Sequence, residues 1–135
     1  MITSTENLSE LRGDTWSIPL SLADLTNYVT IDFTVKEQRS DSDTLAILQV
    51  RLNATGLDDG LLILNKAVYA VPADGSIAIS DVPWGVITIA VEADATAELE
   101  PRTYDCDVQV IYASGEVQTY HYSILQIPAD VTRGT

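Results

Sequence analysis

Cysteine occurs once in this 135-residue chain, as Cys106, and histidine once, as His121. A single thiol cannot close an internal disulfide, so the fold has to be held by its core. The length allows that, since a domain of this size buries about two thirds of its unfolded surface. One histidine leaves metal clusters and His-based triads little to work with. Apolar runs are short, none nearing the roughly 18 residues of a membrane-spanning helix. The opening MITSTENLSE has neither the basic start nor the apolar run of a signal peptide. The chain therefore reads as soluble, with no membrane partner, made and kept in a cytoplasm or in something assembled there. Basic residues are scarce as well: seven Lys and Arg face twenty Asp and Glu, a formal net charge of −13. Phosphate backbones are held by Lys and Arg contacts, which excludes nucleic acid as a partner. The acidity serves solubility, and a basic protein partner is the sharper alternative.

Helical periodicity is missing, and two-residue alternation takes its place. In TWSIPLSL, Trp16, Ile18, Leu20 and Leu22 share one face, with Thr15, Ser17, Pro19 and Ser21 opposite. Period two is the mark of a strand with one buried face. Pro19 cannot donate to a ladder, which predicts a sheet edge or a bulge. YVTIDFTVK repeats the pattern, with Val29, Ile31, Phe33 and Val35 inward and Thr30, Asp32, Thr34 and Lys36 outward. Ala46, Leu48, Val50 and Leu52 form another such face. LLILNKAVYAV breaks near Asn65-Lys66, SIAISD is a short strand, and VITIAVEA alternates again. TYDCDVQVIYA and EVQTYHYSILQI are long strands joined by Ser114-Gly115-Glu116, a hairpin loop. About eight or nine short strands with regular turns predict an all-β sandwich or barrel. The domain is expected over 11–130, with residues 1–10 a flexible N-terminal segment and 131–135 a tail.

One motif narrows the fold. In ATAELEPRTYDCDV, a Leu-x-Pro segment precedes Tyr104, which opens a strand. This resembles the tyrosine corner of immunoglobulin-like and fibronectin-like β-sandwiches, in which the phenol bonds backward to the main chain. The expected acceptor lies within Thr96–Leu99. With the Cys–Trp–Cys set absent, the expectation is an Ig-like sandwich without its disulfide.

Chemistry-bearing residues read quietly. His121, in TYHYS, is a strand residue beside aromatics. Cys106 lies on an apolar face and behaves as a small core residue. The acidic pairs Asp41/Asp43, Asp58/Asp59 and Asp105/Asp107 lack the spaced ligand ladder of a calcium loop. No catalytic constellation, metal site or cofactor is expected, and no enzyme. Arg12-Gly13-Asp14 looks like an adhesion ligand, yet it stands at the mouth of the Trp16 strand, where such residues build a turn.

The stretches RGDTW at 12–16, FTVK at 33–36, YDCDV at 104–108, SGEVQT at 114–119 and DVTR at 130–133 together resemble small phage tail and baseplate proteins with an Ig-like sandwich. The resemblance implies a virion structural protein, a tail, baseplate or fibre-adaptor subunit, assembled in the host cytoplasm. Its partners would be other tail or baseplate proteins, and the chain a symmetric homo-oligomer in the particle. The contacts expected come from Tyr112, Tyr120 and Tyr122 of the final hairpin and from Arg133, aromatics being favoured at interface cores. The same tyrosines could instead cap the core with their hydroxyls in water. A capsid-decorating or host-surface module that binds carbohydrate is the second reading, with Trp84 in VPWG as its test residue.

Overall fold

The structure, a computed structural model, describes residues 2–10 and 12–127, and within these the side chains of all but 2–7, 9 and 121–124. The strands are β1 (Ile2–Ser9), β2 (Trp16–Ser21), β3 (Tyr28–Lys36), β4 (Leu48–Asn53), β5 (Gly60–Leu64), β6 (Ala67–Val68), β7 (Gly75–Asp81), β8 (Val86–Val91), β9 (Arg102–Tyr112) and β10 (Val117–Ile127). They form a seven-stranded sheet in the order β1-β10-β9-β3-β4-β5-β6 and a three-stranded sheet in the order β2-β8-β7. One helical turn, α1 (Ala93–Thr96), carries the chain from β8 toward β9. This is an Ig-like β-sandwich. Its larger sheet keeps the variable-type arrangement, in which two further strands extend the sheet of the last hairpin.

Alternation placed the core. β2 alternates buried and exposed from Trp16 to Ser21, and Trp16, Ile18 and Leu20 pack with Ile87, Ile89 and Val91 of β8. Phe33, Val35, Val108 and Val110 of the larger sheet close the core from the other side. Cys106 lies two residues after the corner tyrosine, where an antibody domain holds its second cysteine. β2 presents no thiol to it, and packing replaces the bridge.

Proline acts as its chemistry requires. Pro19 pairs with Thr88 on β2, the outer strand of the smaller sheet. The break at Asn65-Lys66 is a turn between β5 and β6, both residues having positive φ, 51° and 69°. That conformation belongs to the tightest hairpins.

Two expectations need correction. The first ten residues are expected to be a flexible segment, yet Ile2–Ser9 form β1, paired in parallel with β10. Its Thr and Ile suit a strand, and the open side of β10 supplies the ladder that alternation alone would not reveal. Alternation predicts one wet face for β3, yet Asp32 and Thr34 are only 8% and 3% exposed. β3 lies between β9 and β4, so neighbouring side chains cover both of its faces.

Candidate functional site

Four loops meet at one end of the sandwich, because β2, β4, β7 and β9 all finish there: residues 22–27, 54–59, 82–85 and 113–116. The bonds that fasten them fix what this end presents. Leu22 N donates to Gly85 O at 2.8 Å, and Leu25 N to Val82 O at 3.0 Å. Trp84 N donates to Asp81 Oδ1 at 2.9 Å, and Gly85 N to Val82 O at 3.2 Å. Gly85 has φ 66°, and a Cβ there would stand 2.0 Å from Ala23 O, so only glycine lets the two loops touch. The turn is rigid, and Trp84 stands on it 77% exposed. Val82 and Leu57 are exposed at the same end. All the charges of these four loops are carboxylates: Asp24, Asp58, Asp59 and Glu116, with Asp81 beside them.

The final-hairpin tyrosines are placed differently from expectation. Tyr120 is 5% exposed, and its hydroxyl accepts from Ala23 N at 2.8 Å. Tyr112 donates to Asp24 O at 2.8 Å. Both phenols fasten the hairpin to the 22–27 loop, so Tyr120 belongs to the core and not to a surface of tyrosines. The side chain of Tyr122 and the whole of Arg133 lie outside the described residues, as does the side chain of His121.

Opposite the loop end, the corner is built as a clasp. Tyr104 is 2% exposed and donates to Glu100 O at 2.7 Å, one residue beyond the expected acceptors. The Leu-x-Pro segment puts that carbonyl nearest the ring. Thr96, fully buried, accepts from Gly13 N at 2.9 Å and donates to Asp14 O at 2.7 Å. Arg12 donates to Ala97 O at 2.9 Å. The Arg12-Gly13-Asp14 tripeptide is thus tied to α1 through its backbone and its guanidinium. Sequence reading missed this role of Thr96, because Gly13 and Asp14 lie more than eighty residues away from it.

The remaining polar groups are structural. Arg51 makes a bidentate pair with Asp32, at 2.6 and 3.1 Å. Glu37 bridges Lys66 and Arg102. Its hydrogen bond with Lys66 holds the Glu37 carboxyl below its ordinary range and lifts Lys66. Burial, with Asp107 and Asp105 nearby, pushes the Cys106 thiol up to about 12, which leaves it protonated and unreactive. Among the described residues no three His, Cys, Asp or Glu side chains gather to hold a metal ion. No described helix is long and apolar enough to cross a membrane.

No protein-family model and no curated protein matches the chain. Among solved structures it is similar to murine CRIg, at 16% identity over 93% of each chain with a TM-score of 0.48. It is likewise similar to Tim-2, at 16% identity over 96% of this chain and 98% of that one, TM-score 0.46. A third similarity is to the NK cell receptor NKp44, at 11% identity over 92% and 98%, TM-score 0.46. At such identities and scores the likeness is one of outline.

Proposed function

We propose that this chain works by binding and not by catalysis, as a structural subunit of a phage tail, baseplate or fibre adaptor put together in the host cytoplasm. An Ig-like sandwich of this kind suits protein–protein contact, and the tail reading adds the sequence resemblance carried by residues 12–16, 33–36, 104–108 and 114–119. The single observation that carries a binding role is Trp84. A tryptophan left 77% exposed on a turn pinned by four hydrogen bonds is costly to keep in water. Rigid aromatic anchors are where interfaces concentrate their energy. The carboxylates around it favour a neighbour with a basic contact surface, and they oppose a second acidic copy there.

The test is a pull-down from infected-cell lysate with immobilised wild type and Trp84→Ala, read by mass spectrometry. Tail or baseplate proteins should be retained by wild type and lost with Trp84→Ala, whose melting temperature should match wild type. Retention of no virion protein overturns the tail reading. Retention of a glycan in its place moves the chain to host-surface binding, since an exposed indole beside carboxylates also suits sugar.

A further inference from the structure

Two of the carboxylates at the loop end, Asp24 and Asp81, flank the turn that carries Trp84, and the fold fixes both. Leu22 N bonds to Gly85 O and Leu25 N to Val82 O, so residues 23–24 run alongside 83–84. Tyr112 donates to the Asp24 carbonyl at 2.8 Å and anchors its backbone. The Asp24 side chain is held as well. Its Oδ1 accepts from Thr26 N at 2.9 Å and from Thr26 Oγ1 at 2.7 Å. Those bonds keep the carboxyl below its ordinary range, so it is ionised at neutral pH.

A bulge brings Asp81 to the surface. Ile79 pairs with Ile87 and Asp81 with Val86, so β7 holds one extra residue just before its turn. Unbroken alternation from Ile77 and Ile79 would aim Asp81 at the core. The extra residue sets it on the side of the partly exposed Val86 instead. Its Oδ1 accepts from Trp84 N at 2.9 Å and closes the turn. Each carboxylate thus commits one oxygen to its own loop, and among the described residues neither Oδ2 accepts a hydrogen bond. The turn they flank presents an indole that is mostly in water.

The geometry points to a binding site for one arginine side chain of a protein partner, its guanidinium stacked on Trp84 and its N–H groups donating to Oδ2 of Asp24 and of Asp81. This rests on the reading of Trp84 as a contact residue and names what it contacts. Charge complementarity selects the occupant, since all the charges of the four loops are negative. An apolar pocket closing over Trp84 would take both carboxylates out of water unpaired, a cost that a cation offsets. A guanidinium is planar enough to lie on an indole face while its fork of donors reaches carboxylates at its rim. The lysine ammonium is a compact, strongly hydrated charge with no flat face to stack. A second copy is the wrong partner, because a net charge of −13 opposes self-association.

The experiment is an NMR titration of the isotope-labelled full chain, at constant ionic strength, with three acetylated and amidated tripeptides. Each places arginine, lysine or citrulline, the neutral isostere of arginine, between two glycines. The arginine peptide should shift the Trp84 indole N–H and the Gly85 amide, and leave the indole of buried Trp16 unmoved. Lysine should bind more weakly, and citrulline roughly tenfold more weakly, the combined loss of an exposed cation–π contact and two surface ion pairs. Asp24→Asn and Asp81→Asn each keep an oxygen for the local N–H groups, so both turns stay formed, which thermal unfolding checks. Each should weaken arginine binding about twofold to fivefold and leave citrulline binding unchanged. Arginine binding should also weaken as salt shortens the Debye length from ~10 Å at about 0.1 M to ~3 Å at about 1 M. Citrulline or lysine bound as tightly as arginine overturns the proposal. So does an asparagine variant that binds arginine like wild type, or the absence of any shift at Trp84 with millimolar peptide. Virion proteins retained through Trp84 without a preference for arginine would leave the tail reading standing and remove only this site. A preference for arginine with no virion protein retained would do the reverse.

Discussion

Thr96→Val is the sharpest test of how the chain's beginning is tied to its corner. The substitution keeps the side chain's shape and replaces the hydroxyl with a methyl group. Thr96 is fully buried, and that hydroxyl accepts from Gly13 N and donates to Asp14 O, at 2.9 and 2.7 Å. Both backbone groups lose this bond. Each such bond contributes about 1 kcal/mol net, and a polar group left unsatisfied costs about 1–3 kcal/mol. Gly13 is exposed, so water recovers part of its loss. The sum is about 2 kcal/mol. For a chain of this length that amounts to a fall in melting temperature of roughly 8 °C. Thr96→Ser keeps the hydroxyl and removes one methyl, costing about 1 kcal/mol. Urea unfolding followed by tryptophan fluorescence is the assay, since Trp16 is 1% exposed and responds to the core. Arg12→Ala should be less than additive with Thr96→Val, both acting on one clasp. A Thr96→Val protein as stable as wild type, or no less stable than Thr96→Ser, would refute the reasoning.

The corner and the charges give three more expectations. Tyr104→Phe removes only the bond to Glu100 O and should cost about 1 kcal/mol in the same assay. Cys106 should resist thiol reagents at neutral pH and react at once in denaturant, as its thiol is pushed up to about 12; reaction of the folded protein at the unfolded rate would contradict its burial. Glu37 has its carboxyl held below the ordinary range, so the stability it contributes is complete above that range. It is lost as pH falls from there through the lowered value. Melting temperature measured against pH should therefore drop less steeply on the acid side for Glu37→Gln than for wild type, and identical profiles would remove Glu37 from the acid response.

Local pattern made much of the fold readable. Trp16, Ile18 and Leu20 sit inside because alternation has to match a pleat, whatever sheet the strand joins. Pro19 foretold an edge because its missing donor is a property of the residue itself. Tyr104 announced a corner because the partner is four residues away. The loop end was half readable: a turn was evident in VPWG, but its fastening to the 22–27 loop was not. What escaped the sequence depends on which strands become neighbours. Asp32 and Thr34 look like wet-face residues until β4 and β9 flank them. Tyr120 looks like a surface tyrosine until Ala23 N meets its hydroxyl, 97 positions away. Thr96 carries no local sign of holding Gly13 and Asp14, and β1 shows no alternation to mark it as a strand. Composition and period act within a few residues, so the sequence by itself determined strands, inward faces and turns. Strand order and long-range hydrogen bonds arise only when distant segments share one core, and so the tertiary structure alone decided which polar groups are buried.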